Sequence, residues 1–196
     1  MDKQTVSIET GVVHGRFQPL HNDHLRYLLA AKRLCRYLVV GITNPDPLLT
    51  RDDPADTNRS STLSNPFTFY ERHSMIRSAL VDAGVPLSDF SPVPLPVNFP
   101  ELYRYYVPMD AVFFITIYDD WGRKKLHFFT SLGLKIHVLR EVRPEDKGIS
   151  GSDVRQKILG GDTWEHLVPR STAALIKKWR IHDRLLRLQN SCAQQR

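Results

Sequence analysis

Residues 7–24 read SIETGVVHGRFQPLHNDH, and their order decides the fold. A short β-branched run, Ser7 to His14, stops at Gly15, and a loop stiffened by Pro19 leads into an apolar helical spacing. That is a buried strand turning into a helix, with Gly15 freeing the turn. The spacing predicts a helix from about Leu20 to Cys35, carrying Leu25, Leu28 and Leu29, with Asn22 or Asp23 available as its cap. His21 and His24 are three apart and therefore share a face at its start. A helix N-terminus offers unpaired N–H groups and partial positive charge, so two imidazoles and Arg16 there make a natural phosphate seat. Taken alone, the segment reads equally as a capping turn with two surface histidines or a His-x-x-His metal pair. No third ligand stands nearby at a familiar zinc spacing, and no protein metal site is expected.

Working outward, strands and helices alternate. Tyr37–Thr43 is a second strand, and Asn44–Phe67 is a long polar stretch with Asp52, Asp53 and Asp56 around Pro54, read as a solvated lid. Thr68-Phe-Tyr-Glu71 has capping-box spacing and opens a helix to about Ala83, closed by Gly84. Phe90–Val97 is extended but holds Pro92, Pro94 and Pro96, which confines it to a sheet edge. Ala111–Tyr118 is a core strand, Asp119–Leu132 a helix ending at Gly133, and Lys135–Leu139 another strand. Helices are expected over Ser152–Leu159 and Ser171–Leu188. The order argues for an α/β, Rossmann-like parallel sheet with helices on both faces and a C-terminal helical segment. In such sheets ligands bind beyond the carboxyl ends of strands, where strand order reverses.

The charge is uneven. Residues 170–196 hold seven basic residues and one acid, Asp183, so the whole net charge of +6 lies there while residues 1–169 sum to zero. A nucleic-acid coat across the body is therefore not indicated. The expected organisation is a domain over 1–170 with a basic helix, 171–196, packed on it. No apolar run reaches membrane-span length and the first ten residues are charged, so a cytoplasmic protein without membrane contact is expected. Two cysteines, neither in a CxxC pair, set up no disulfide framework.

A second anion seat appears at Gly148-Ile149-Ser150-Gly151-Ser152-Asp153-Val154-Arg155, where Gly and Ser precede a helix and Arg155 lies one turn inside it. Together the two seats span the ends of a triphosphate. GRFQPLHxxH, NPFTFYER at Asn65–Arg72 and ISGSDVR, in this order, resemble the HxGH-type nucleotidyltransferase superfamily, and most of all the archaeal-type nicotinamide-nucleotide adenylyltransferases. The resemblance implies adenylyl transfer from ATP, with magnesium, to nicotinamide or nicotinate mononucleotide, or to another phosphomonoester. It implies that His21, His24, Arg16 and Arg155 are catalytic. Gly15, Phe17, Ser150, Gly151 and Ser152 would bind nucleotide, and Ser150, Ser152 and Arg155 would clasp the β and γ phosphates. Candidate acceptor contacts are Asn44, Tyr103, Trp121 and Lys124, with Tyr106 a further stacking candidate. Relatives commonly associate, so a homo-oligomer stays open.

The chain departs from that pattern in three places. Asp23 stands where the family has Gly, and a carboxylate beside a triphosphate repels it unless it points away or meets magnesium. Ser64 and Asn65 stand where archaeal-type enzymes carry an Arg, with Arg59 the nearest base upstream, and Val97 and Asn98 where they have an Asp. Cytidylyltransferases of the superfamily carry an RTxGISTT-type segment, of which Lys147–Ser152 keeps only the middle, and the Val154-Arg155 ending favours ATP. The alternatives are adenylyl or cytidylyl transfer to a different phosphomonoester and, in a different class, a nucleotide sensor without turnover or a nucleic-acid-binding module.

Overall fold

Side chains alternate between the two faces of a strand, and here both faces find apolar partners. In the computed structural model, which describes residues 8–50, 61–118, 120–146 and 148–194 and all side chains there except those at 121, 144 and 192–194, five strands form one sheet. They are β1 (Ile8–Gly15), β2 (Cys35–Thr43), β3 (Phe90–Leu95), β4 (Val112–Ile117) and β5 (Lys135–Glu141), all parallel, in the order β3-β2-β1-β4-β5. Val13, Val40 and Phe114 point to one side, where α1 (Asn22–Lys32), α2 (Phe69–Asp82), α4 (Gly151–Gly160), α5 (Arg170–Lys178) and α6 (Ile181–Gln194) cover them with Leu28, Ile76, Val154, Ile176 and Leu185. Val12, Val39, Phe113 and Ile115 point to the other, under Phe129 of α3 (Asp120–Ser131) and Tyr103. Burial on both faces is why the strands read as continuous apolar runs. The fold is the Rossmann-like α/β sheet expected from the alternation.

The proline-rich β3 is an edge strand, as its missing N–H donors require. Thr68 and Glu71 close both halves of the capping box, and Gly84 and Gly133 end their helices at φ 84° and 73°. Two boundaries differ from the sequence reading. His21, rather than Asn22 or Asp23, caps α1, because its ring accepts the His24 N–H. The C-terminal helix is two helices, since Arg180 turns into the left-handed region at φ 52° between α5 and α6.

α6 is held to the domain by more than apolar packing. Arg184 makes a two-pronged pair with Glu71, at 2.7 Å to each oxygen, and also donates to the Pro66 carbonyl. The arrangement therefore commits one base of the C-terminal segment to the NPFTFYER stretch. Strand order reverses between β1 and β4, whose carboxyl ends, at Gly15 and Ile117, frame the place where this architecture binds ligands.

Candidate active site

A cavity of about 300 Å³ opens at that switch point. β1 brings His14 and Gly15 to it, the following loop Arg16, Phe17 and Gln18, and the first turn of α1 His21, Asp23 and His24. β4 and the residue after it supply Ile115, Thr116 and Tyr118, α3 supplies Gly122 and Lys125, and the far wall is Gly148–Ser152 with Arg155. Both helix starts picked out in the sequence thus meet on one hollow.

Long-range backbone contacts fix the first loop. The Gln18 amide accepts the Phe67 N–H at 2.9 Å and donates to the Phe67 carbonyl at 3.0 Å, tying the loop to the segment before α2. Arg72, 1% exposed, donates to the carbonyls of Arg16, Thr43 and Asn44 at 3.1, 2.6 and 2.7 Å. Asn44 takes a left-handed φ of 49°, a conformation that Asn tolerates, and its carbonyl is one of those acceptors. Phe17 is also left-handed, at φ 52°, and fully buried, with its ring edge-on to His24 at 4.9 Å. Strain at a non-glycine residue of this kind costs roughly 1–3 kcal/mol and collects at functional sites.

The second helix start is docked against the first loop. Arg155 donates to the Gln18 carbonyl and, at 3.0 Å, to Ser152 Oγ. A Cβ on Gly151 would lie 2.6 Å from the same Gln18 oxygen, so only glycine lets α4 come this close. Ser150 caps α4 in a reciprocal box with Asp153: the Asp153 N–H reaches Ser150 Oγ at 3.2 Å, and Asp153 Oδ2 accepts the Ser150 N–H at 2.8 Å. Asp23 completes the joint. Its Oδ2 accepts the Ile149 N–H at 2.7 Å and its Oδ1 pairs with Arg26, one turn on. The carboxylate that sequence reasoning set against the triphosphate is occupied in bridging the two helix starts.

Electrostatically the site is neutral imidazole surrounded by guanidinium. Burial above all, and then Arg26, outweigh the Asp153 charge and bring His21 down to about 4. Burial, His21 and Arg16 likewise hold His24 well below its ordinary range. The two rings stack at 3.6 Å and 24°, so two charges there would repel. His21 Nδ1 accepts the His24 N–H, which leaves the His21 proton on Nε2. Arg155, pulled to about 10 by burial and by Arg16, keeps its charge at neutral pH.

The remaining expected residues are placed differently. Tyr103 is fully buried with its hydroxyl on the Val97 carbonyl at 2.6 Å, in the core beside Phe129. Asn44 serves Arg72 and lies off the cavity wall, and Tyr106 packs against the α3-side core. Lys124 is exposed, and its neighbour Lys125 borders the cavity instead. Trp121 lies in α3, its side chain outside the described set, as are Asp52, Asp53, Asp56, Arg59 and Lys147. Sequence reasoning passed over His14, Gln18 and Tyr118. Their signal is positional only: they end strands or fill a loop, and no spacing marks them.

A doubly wound parallel sheet with two helix starts facing each other across its switch point is an architecture in which ligands bind at that crevice. The chain belongs to the cytidylyltransferase-like family, whose model matches residues 12–157. It is 51% identical to a phosphonoformate cytidylyltransferase of Streptomyces viridochromogenes, over 90% of this chain and 95% of that one. A nicotinamide-nucleotide adenylyltransferase of Thermococcus sibiricus is 30% identical over 89% of this chain and 87% of its own. Among solved structures, a bifunctional NMN adenylyltransferase/ADP ribose pyrophosphatase of Francisella tularensis matches the fold with a TM-score of 0.68 at 18% identity, covering 95% of this chain and 55% of that one. These similarities correct the expected specificity. The superfamily stands, but the likeness to the nicotinamide-nucleotide enzymes is the weaker one, and NAD synthesis is overturned as the reading of this chain. The three motifs therefore do not by themselves separate one acceptor from another. Among the described residues no helix is long and apolar enough to cross a membrane.

Proposed function

We propose that the protein is a cytidylyltransferase that joins the CMP unit of CTP to a small phosphonate, phosphonoformate or a close analogue, and releases pyrophosphate. The observation that carries this reading is the 51% identity to a phosphonoformate cytidylyltransferase along nearly the full length of both chains.

The chemistry suits the site. A phosphonate oxygen attacks the α-phosphorus in line, a new P–O–P bond forms, and the bond to the β-phosphate oxygen breaks, with the electron pair leaving on pyrophosphate. The acceptor arrives as an anion, so no general base has to remove a proton. This agrees with the state of the cavity's carboxylate, since Asp23 is bound to Ile149 and Arg26. His21 and His24 would hold the α-phosphate as N–H donors, with one of them taking up a proton as charge builds. Arg16, beside Gly15 and Phe17, would contact phosphates. The first turn of α4, with Gly151 and Ser152, and Arg155 would hold the β and γ phosphates and then the leaving group. Ser150 would act through the cap, since its hydroxyl is engaged with Asp153.

Among the described residues no group of three His, Cys, Asp or Glu side chains could hold a metal ion. Magnesium would arrive as part of the substrate, carried on the triphosphate oxygens and waters. The test is product analysis: with magnesium, CTP and phosphonoformate, phosphorus NMR should show a phosphonate–phosphate anhydride and pyrophosphate in equal amounts. His24→Ala should slow its formation by about 100-fold or more. Absence of the anhydride would overturn the proposal.

A further inference from the structure

His14 is the last residue but one of β1, at the reversal of strand order, and its side chain points to the α3 face of the sheet. It is 8% exposed, and both ring nitrogens are buried without a hydrogen-bond partner. Buried polar atoms nearly always have partners, and an exception at a cavity wall marks a place that something else fills. Phe129, 5.1 Å away between centroids, supplies only an apolar contact. The ring borders the same cavity as the two-histidine helix start, and Lys125 of α3 borders it too. Lys125 lies near enough that its charge, after burial, helps keep His14 neutral. A neutral imidazole carries one N–H donor, and beside an ammonium it forms an anion seat. Among the described residues the one carboxylate on the cavity wall, Asp23, is committed to Ile149 and Arg26.

We infer that His14 and Lys125 form a second acid subsite that holds a carboxylate attached directly to the acceptor's phosphonate. The inference rests on the proposed reading that the acceptor is a small phosphonate. It goes further in assigning a place and residues to the carboxylate. In this arrangement the phosphonate meets the α-phosphorus near His21 and His24, and the carboxylate on the adjoining carbon reaches the His14 ring. Ile115 and Phe129 on the apolar side limit the length of the acceptor. Selection for an acid-bearing phosphonate then comes from a charged hydrogen bond that a simple alkylphosphonate cannot make.

The experiment compares phosphonoformate with methylphosphonate, which lacks the carboxylate, on the full chain with magnesium and CTP. In the parent protein kcat/KM should favour phosphonoformate by about tenfold or more, as a charged hydrogen bond implies. In His14→Ala and in Lys125→Met that ratio should fall to about threefold or less. Equal losses on both acceptors would mean a structural role and would overturn the subsite. Histidine side-chain NMR supplies an arm that needs no turnover and no folded variant. Phosphonoformate should shift the His14 ring signals and methylphosphonate should not; unmoved signals at saturating phosphonoformate would overturn the inference. If the ring signals shift while no acceptor is turned over, the subsite stands and the functional reading falls.

Discussion

Replacing Asp23 by alanine separates two opposite expectations. As an unpaired carboxylate beside the phosphates, Asp23 would repel CTP, and its removal would tighten binding. In the structure its side chain is 18% exposed, takes the Ile149 N–H at 2.7 Å and thereby holds the Gly148–Ile149 segment that leads into α4. Its oxygen also fills the space that a Cβ on Gly148 would need. A hydrogen bond to a charged group contributes about 1.5–3 kcal/mol, and partial exposure favours the lower half of that range. The Arg26 pair adds little, because the Arg26 side chain is 73% exposed and screened. A loss of about 1.5–2 kcal/mol corresponds to roughly 10- to 30-fold. Since the segment positions the triphosphate end of the site, the loss should appear mainly as a higher KM for CTP, with kcat changed less. Asp23→Asn keeps an acceptor oxygen without the charge and should fall between alanine and the parent. Steady-state pyrophosphate release at varied CTP, with calorimetric titration of CTP, measures both quantities. A KM for CTP that is unchanged or lower in Asp23→Ala would refute the bridging role.

Three further outcomes follow from the packing. Gln18→Ala strands the buried Phe67 N–H and carbonyl and should lower stability by about 2–4 kcal/mol in chemical denaturation; a change below about 0.5 kcal/mol would show that water replaces the amide. Removal of residues after Leu188 keeps the Arg184–Glu71 pair and should leave Tm and turnover close to the parent, whereas Arg184→Ala leaves a Glu71 carboxylate that is 8% exposed without its partner and should cost about 2–3 kcal/mol. His21 is depressed to about 4 in the folded protein from an ordinary 6.5, so the unfolded chain binds the extra proton between those values. Its contribution, about 3 kcal/mol, is present above pH 6.5 and lost as the pH falls toward 4. Denaturation midpoints across that range should drop in the parent and drop less in His21→Gln.

Local chemistry made much of the fold legible. The Thr68–Glu71 box, the glycines after α2 and α3, and the prolines of β3 act over a few residues, so their spacing carries their meaning. The two helix starts that meet on the cavity were legible for the same reason, since each is marked by a few consecutive residues. What stayed hidden depends on contacts across the chain. Nothing near Arg184 announces Glu71, 113 residues earlier, and nothing near Asp23 announces Ile149, 126 residues later. The left-handed turn at Arg180 breaks a helical pattern whose apolar spacing runs through it almost unchanged. His14 reads as one more strand residue until β4 and α3 are placed around it. The acceptor was misread because the three motifs alone did not separate the likeness to the nicotinamide-nucleotide enzymes from the stronger one to a phosphonoformate cytidylyltransferase.

The central claim is tested most directly by one comparison of specificity constants on the same purified protein: CTP with phosphonoformate against ATP with nicotinamide mononucleotide, magnesium present in both. The account predicts that kcat/KM for the first pair exceeds that for the second by about 100-fold or more. Equal values, or a preference for ATP and the mononucleotide, would contradict it.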